Sequence, residues 1–286
     1  MSSPKRLKLD DRWQHSFIKL AVEGNIAAGK STFLKLLSDE GNFKMCPEPV
    51  LDWTDISLSK DVDQSADNNL LAKFYEDPAR WALTFQNYAL FSRVRNQPKL
   101  DRSGVYLCER SVFSDRLIFG RNGLKTGIMT PLEYSLYCKW HSFLTEGNSD
   151  TEVGSLSFYP HPFKFIILLP FCLCFFLSFF GLLMQPFQVD GFIYLQCTPD
   201  ICMKRLEQRG RSEENSVPLE YLSQIHTRHE EWFVERSDLP NAVSSKPTLV
   251  IDCTKDIVND AQYRSEVLNK VLVFAGAIAN PKQTGC

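Results

Sequence analysis

The residues best suited to chemistry form one short run, residues 24–32, with the sequence GNIAAGKST. Its spacing, G-x-x-x-x-G-K-S, is typical of a phosphate-binding loop. Glycines at both ends let the backbone turn with positive φ, so that N–H groups and the next helix's N-terminus point at phosphate oxygens. Lys30 would supply a mobile positive charge, and Ser31 a hydroxyl ligand for Mg²⁺. We therefore predict that this run binds phosphate groups.

The neighbours of this run favour the same interpretation. An apolar, strand-like stretch at residues 17–22 precedes it, and helical spacing of apolar residues follows at 33–37. An ordinary glycine-containing turn between a strand and a helix is the competing interpretation. The predicted phosphate-binding residues are Gly24, Asn25, Ala27, Ala28, Gly29, Lys30, Ser31 and Thr32.

The rest of the chain supplies elements that could position such a loop. Five runs rich in apolar, β-branched or aromatic residues are candidate strands, at residues 17–23, 44–47, 104–108, 191–197 and 248–252. Helical patterns lie at 30–38, 68–97, 131–146, 199–209, 217–236 and 256–275. Strands that alternate with helices predict an α/β fold with a parallel sheet covered on both faces. Ligands then bind at the carboxyl ends of the strands, where Glu23, Glu48 and Glu109 stand.

Composition narrows the function classes. At 286 residues with a net charge of -2, the chain fits one large domain and carries no general charge for binding nucleic acid or an anionic membrane. Its nine cysteines are an odd number, scattered, and without a C-x-x-C pair. This usage predicts reduced thiols in a cytoplasmic or nuclear compartment. His226 and His229 lack further ligands at suitable spacing, so we predict no zinc site there.

Residues 1–16 are predicted to be a disordered basic tail. They contain no apolar core of a secretory signal, and Asp10 and Asp11 are unusual in a mitochondrial transit peptide. The cluster PKRLKLD at residues 4–10 fits either a nuclear-import signal or a solvated tail.

Residues 150–188 do not fit the alternation of strands and helices. Residues 165–184 are 20 consecutive residues without a charge, which is long enough to span a bilayer. A single span here would place two halves of one sheet on opposite sides of a membrane. Phe, Leu, Ser, Pro and Cys, which dominate this run, have pyrimidine-rich codons, and the run ends at Met184 and Gln185. A pyrimidine-rich tract that ends in this way instead resembles the translated end of an intron. We favour a retained intron or gene-model error at about 153–185, over a membrane segment or a genuine buried insertion.

Several further motifs accompany the phosphate-binding loop: EPVLDW at 48–53, YEDPARW at 75–81, FQ at 85–86, SR at 92–93, ERS at 109–111, DR at 115–116, and Arg205 with RGRSEE at 209–214. In combination they resemble the motifs of the deoxynucleoside kinase family, in particular its deoxycytidine and deoxyguanosine kinase group. The resemblance covers about residues 17–146 and 190–275. It implies a P-loop kinase fold with a five-stranded parallel sheet, in a single domain over residues 17–286 interrupted by the apolar insertion.

The resemblance assigns roles around the phosphoryl group. It implies that Glu48 is the base for the 5′-hydroxyl, that Arg110 lies by the transferred phosphate, and that Glu109 helps Ser31 to hold Mg²⁺. Each of the three could instead be structural, in an exposed turn or an ion pair. Arg205, Arg209 and Arg211 resemble the mobile lid of the family, where an anion would overcome their mutual repulsion. A solvated basic helix face is the alternative, and Asp256 and Ile257 fall where the family binds the donor base.

The resemblance also implies a nucleoside pocket. Gln86 would pair with the base edge, and Arg93 with Asp115 would lie by an exocyclic amino group, which disfavours thymidine. Tyr75 and Glu214 would bind the 3′-hydroxyl. The residues that would line the base are Val50, Trp53, Leu71, Phe74 and Phe119, of which Leu71 and Phe74 could equally be ordinary core residues.

Together these features predict a kinase that transfers the γ-phosphate of ATP or UTP, with Mg²⁺, to the 5′-hydroxyl of deoxycytidine, and also of deoxyadenosine and deoxyguanosine. A purine-preferring kinase is the alternative within the family. A non-catalytic nucleotide-binding product, inactivated or tethered to a membrane by the insertion, is the alternative from another class. The family is dimeric through long helices, so we expect a homodimer through helices 68–97 and 131–146, without nucleic-acid or membrane partners.

The intron hypothesis predicts that the dominant spliced transcript lacks the codons for about residues 153–185. Full-length sequencing of spliced transcripts measures this directly. A dominant transcript that contains these codons would rule the hypothesis out.

Overall fold

The computed structural model describes residues 17–41, 43–56, 68–96, 103–146 and 189–280. The predicted tail at 1–16 and the predicted insertion at 150–188 lie outside the described residues. None of the helices in the described part is both long enough and apolar enough to cross a bilayer.

Five parallel strands form the central sheet, as predicted. Their order is β2-β3-β1-β4-β5, and each adjacent pair is parallel. Every residue of β1 except the first is buried, as expected for a strand covered on both faces. The strands are β1 (Phe17–Gly24), β2 (Lys44–Cys46), β3 (Gly104–Glu109), β4 (Gly191–Gln196) and β5 (Thr248–Asp252).

Helices cover both faces of the sheet. Leu20 and Val22 pack in a core with α1 and α11, whereas Ala21, on the opposite face, packs with α9. The described helices are α1 (Lys30–Gly41), α2 (Val50–Thr54), α3 (Leu70–Glu76), α4 (Pro78–Arg95), α5 (Val112–Ser114), α6 (Arg121–Lys125), α7 (Pro131–Glu146), α8 (Pro199–Arg209), α9 (Leu219–Phe233), α10 (Asn241–Ser244) and α11 (Ala261–Ala279), with a π-helix at Asp115–Gly120 and a 3₁₀ turn at Ser212–Glu214.

The prediction of one helix over residues 68–97 was wrong. The structure has two helices there, because Asp77 leaves the helical conformation and caps the second one. Its carboxylate accepts a hydrogen bond from Arg80 N at 3.2 Å, and Pro78 occupies the first turn, where its missing N–H is tolerated. Asn69 caps the first of the two helices by accepting from Ala72 N at 2.9 Å.

The prediction of a last helix at residues 256–275 was wrong at its start. The carboxylate of Asp256 accepts hydrogen bonds from Val258 N at 2.9 Å and Asn259 N at 3.0 Å, which holds a turn. Helix α11 therefore begins only after Asp260, whose side chain caps it by accepting from Tyr263 N at 2.9 Å.

The register of the sheet decides where the functional segments meet. Val22 of β1 lies opposite Glu109 of β3, and Cys46 of β2 lies opposite Cys108. Because the strands are parallel, the segments that follow them leave the sheet at the same edge. The phosphate-binding run, Glu48 and Arg110 are thereby brought together.

Candidate active site

The phosphate-binding run forms a tight turn from β1 into α1. Gly29 has φ +98°, and Gly24 has φ +150° with Leu195 O only 2.9 Å from where a Cβ would stand. Glycine is therefore required at both positions. The turn is closed by a hydrogen bond from Ala28 N to Asn25 O at 3.2 Å, and α1 begins at Lys30.

Lys30 is buried inside this loop. Its Nζ donates to Gly24 O at 3.2 Å and Asn25 O at 2.7 Å. Burial, together with the nearby Arg110, lowers the pKa of Lys30 to about 8. A phosphate oxygen would offer the ammonium a charged partner in place of two neutral carbonyls, so the loop favours an anionic ligand.

Ser31 and Glu109 offer a pair of oxygen ligands next to the loop. Ser31 Oγ donates to Glu109 Oε1 at 2.9 Å. Mg²⁺ prefers oxygen donors and commonly takes only one or two from the protein, with phosphates and water completing its shell. The described residues contain no cluster of three or more His, Cys, Asp or Glu side chains that would hold a metal by themselves. The pair thus fits Mg²⁺ delivered with a nucleotide.

Two cavities meet beside the loop. One, of about 560 Å³, lies over the loop and reaches α8 and the segment after β5. The other, of about 500 Å³, lies between the loop, α2, α3 and α4. Phosphoryl transfer needs such an arrangement, because donor and acceptor must approach each other at one point. The residues that line both cavities are Ala27, Lys30, Ser31, Glu109, Arg209 and Arg211.

A network of ion pairs forms one wall of the second cavity. Arg93 donates to Glu48 through Nη2 and to Asp115 Oδ1 through Nε at 3.0 Å, and Arg110 Nε lies 3.2 Å from Glu48 Oε1. Although burial raises the pKa of the Glu48 carboxyl, Arg93 and Arg110 outweigh it and lower the pKa to about 2. Glu48 is therefore an anion at neutral pH.

Aromatic rings and one amide also line the second cavity. Phe74 and Phe85 stack at 4.8 Å between ring centroids, and Trp53 is fixed by its hydrogen bond to Ser92 Oγ at 2.8 Å. Gln86 is 4% exposed, and its Oε1 has no hydrogen-bond partner among the described residues. A buried amide oxygen left without a partner indicates that a ligand with a donor group completes it.

The lid arginines differ from expectation, because they already have partners. Arg209 pairs with Glu214, and Arg211 Nη1 lies 3.5 Å from the same carboxylate. Arg205 instead donates to Ala28 O at 3.2 Å and to Cys253 O at 2.9 Å. The repulsion predicted from the sequence is thus relieved within the chain. A phosphate group would have to replace these internal contacts.

Residues around the carboxylate of Glu214 complete the second cavity. Tyr75 and Tyr221 lie beside it, and burial together with Tyr221 and Glu214 raises the pKa of Tyr75 well above its usual value. Both phenols therefore stay protonated and able to donate hydrogen bonds.

Most predicted site residues line one cavity or both. Gly24 and Asn25 line neither: Asn25 Nδ2 donates to Leu222 O at 2.9 Å, which ties the loop to α9. Asp256 lines the first cavity, but its oxygens hold the turn described above. The cavity residues that the sequence analysis missed include Phe85, Gln208, Glu213, Tyr221 and Lys255. Phe85 and Glu213 carried a signal, because they lie within the motifs FQ at 85–86 and RGRSEE at 209–214.

Comparison with known proteins agrees with this geometry. The family model described as "Deoxynucleoside kinase" matches residues 20–156 and 174–275. The chain belongs to this family. The predicted α/β P-loop kinase fold and phosphotransferase activity are thereby confirmed. The match leaves out residues 157–173, which lie within the predicted insertion.

Individual relatives cover most of the chain. It is 35% identical to "Deoxycytidine kinase 2" of Gallus gallus, with 93% of each chain covered. It is 34% identical to "Deoxycytidine kinase" of Homo sapiens, over 91% of this chain and 92% of that one. It is also 31% identical to "Deoxyguanosine kinase, mitochondrial" of Xenopus laevis, over 91% of this chain and 90% of that one. A deoxynucleoside kinase takes a nucleoside and a nucleotide phosphoryl donor as substrates.

The Asp115 carboxylate predicts an acidic limit of activity. Burial raises its pKa to about 6, although Arg93 opposes this. Below pH 6 Asp115 becomes neutral and no longer fixes Arg93, so kcat/KM for the deoxynucleoside should fall about tenfold per pH unit. Asp115→Asn should lower kcat/KM at neutral pH and remove this limb of the pH profile. The exposed Glu266→Gln is the control that should keep it. An unchanged limb in Asp115→Asn would assign it to another group.

Proposed function

We propose that this kinase transfers the γ-phosphate of ATP, or of another nucleoside triphosphate such as UTP, to the 5′-hydroxyl of deoxycytidine. The observation that carries the proposal is the junction of the two cavities, where Lys30, Ser31 and Glu109 stand within reach of both. The donor would occupy the cavity over the phosphate-binding loop. The nucleoside would occupy the cavity lined by Gln86 and Arg93.

Glu48 is the proposed base. Its carboxylate is anionic and is held by Arg93 and Arg110 at the edge of the acceptor cavity. With a pKa of about 2 it is a weak base. Weak basicity is sufficient in phosphoryl transfer, because the transition state is loose and the hydroxyl proton leaves late. Glu48 would orient the 5′-hydroxyl by accepting its hydrogen bond and would take the proton as the new bond forms.

The cations around the junction would follow the transferred charge. Lys30 and Arg110 lie at its base, and Arg209 and Arg211 approach from the lid. Fixed positive charges of this kind stabilise the charge that develops on the phosphoryl oxygens. Ser31 and Glu109 would hold Mg²⁺, which when bound would neutralise charge on the donor phosphates.

The acceptor cavity favours a base with an amino group. The free Oε1 of Gln86 can accept a hydrogen bond from such a base. Asp115 offers a second acceptor beside Arg93, consistent with the resemblance that disfavours thymidine. The similarity to a relative named a deoxyguanosine kinase favours a purine-preferring kinase as the second candidate.

A nucleoside panel tests the proposal. Deoxycytidine should give the highest kcat/KM, deoxyadenosine and deoxyguanosine lower values, and thymidine the lowest, measured as phosphoryl transfer from ATP and from UTP. Glu48→Gln keeps the shape of the side chain but cannot take the proton, so kcat should fall about 10²- to 10⁴-fold. Assaying also a version that lacks residues 153–185 separates an effect of that segment from the chemistry of the site. A preference for deoxyguanosine would favour the second candidate, and full activity of Glu48→Gln would contradict the role of Glu48.

We also propose a homodimer through α4 and α7. Helix α7 exposes large apolar side chains at spacings of four, four and three: Leu132, Leu136, Trp140 and Phe143, which are 70%, 46%, 58% and 43% exposed. Phe91, on the adjoining α4, is 49% exposed. A stripe of this kind on one helix face is typical of a surface covered by a partner. A second copy would supply the same stripe, as two-fold symmetry requires.

Trp140→Glu should convert the dimer to a monomer, because it places a charge at the centre of the apolar stripe. Light scattering after size-exclusion chromatography should show the molar mass halved. Val273→Glu, on the exposed side of α11, is the control that should leave the mass unchanged. A wild-type chain that already runs as a monomer at micromolar concentration would contradict the proposal.

A further inference from the structure

Three successive residues at the end of β1 are hydrogen-bonded to two successive residues after β3. Arg110 N donates to Val22 O at 2.9 Å, and Arg110 Nη1 donates to Gly24 O at 2.9 Å. Between these two bonds, Ser111 Oγ donates to the Glu23 carboxylate at 2.6 Å. The end of β1 is therefore joined to the Arg110 turn by backbone and side-chain bonds.

The Arg110 turn needs such an anchor, because its backbone is strained. Arg110 has φ +64°, a left-handed conformation that is unfavourable for a residue other than glycine. Ser111 follows it at once and begins α5 in a capping box with Ser114, so its hydroxyl also accepts from Ser114 N at 3.3 Å. The orientation of Ser111 thus decides how the chain leaves Arg110.

Burying a carboxylate at position 23 is energetically unfavourable if it serves only as a structural contact. Its side chain is fully buried, and its Oε2 has no hydrogen-bond partner among the described residues. Burying a carboxyl with one oxygen unpaired is unfavourable, and an apolar side chain would fill the space at lower cost. Burial raises the pKa of Glu23, while Arg110 and Ser111 favour its charged form. The Glu23 carboxyl therefore has a reason to be near Arg110 that packing alone does not supply.

We propose that Glu23 is a positioning residue for phosphoryl transfer. Its hydrogen bond to Ser111 holds Arg110 in the left-handed conformation from which the guanidinium reaches Glu48 at 3.2 Å, at the edge of the acceptor cavity. Glu23 lines neither cavity, so it would act only through Ser111 and Arg110. The inference rests on the proposed function of Arg110 in stabilising the transferred charge.

The test compares Glu23→Leu, which has no acceptor for the Ser111 hydroxyl, and Ser111→Ala, each in the otherwise unchanged chain and in an Arg110→Lys background. In the otherwise unchanged chain, each of these two substitutions should lower kcat about tenfold or more. The KM values for nucleoside and donor should change less than about twofold, because Arg110 is proposed to act in the transition state. In the Arg110→Lys background the same changes should cause almost no further loss of kcat, since the residue they position is already gone.

Thermal unfolding of every variant shows that the folded enzyme is being compared. Tyr194→Phe removes a similar buried hydrogen bond, to Glu230 at 2.7 Å, on the same sheet, and should leave kcat unchanged. If Glu23→Leu does not fold, Ser111→Ala carries the test, because it removes the same bond and leaves the carboxyl in place.

Two results would overturn this inference without affecting the proposed function of Arg110. One is an unchanged kcat in both variants while Arg110→Lys has a low kcat, and the other is an equal fold-loss of kcat in both backgrounds. If Arg110→Lys itself turns over at the wild-type rate, the proposed function of Arg110 fails, and the inference fails with it. The two failures are therefore distinguishable.

Discussion

The structure around the site depends on one constraint: charges that are removed from water must be paired with each other. Glu48, Arg93, Arg110 and Asp115 are all largely buried, and burying any of these charges without a partner is unfavourable. Their mutual contacts solve this, because each guanidinium meets a carboxylate and Glu48 meets two guanidinium groups. The same pairing keeps Glu48 anionic at the edge of the second cavity, where we propose that it acts as the base.

The parallel sheet is what allows this pairing. Glu48 follows β2 and Arg110 follows β3, whereas Arg93 comes from the last turns of α4. Because β2, β3 and β1 are neighbours, the segments after them leave from one edge beside the phosphate-binding loop. A shift of one residue in the pairing of β1 with β3 would separate Val22 from Glu109 and move the whole network off the loop.

The donor side follows the same logic with weaker contacts. Arg209 and Arg211 share the carboxylate of Glu214, and Lys30 donates to loop carbonyls. These partners keep the cations compatible with the fold before a phosphate arrives. In our proposal a nucleotide exchanges these contacts for contacts with its phosphates, so only the difference between the two sets would contribute to its binding. Glu214 lines the second cavity and pairs with Arg209 and Arg211, which line both, so this carboxylate connects the two cavities.

Sequence alone determined the phosphate-binding loop, the five strands and the family, because each rests on neighbours in the chain: glycine spacing, apolar alternation and short motifs. Asp77 and Pro78 also indicate the break between α3 and α4. The prediction of one helix missed this break because the helical periodicity of apolar residues continues across it. Only the tertiary structure decided that Arg205 donates to Cys253 O and that Glu23 is buried against Ser111. The spacing of residues along the chain encodes local conformation. The partner of a buried polar or charged group instead depends on which distant segments the fold brings within hydrogen-bonding distance, roughly 3 Å.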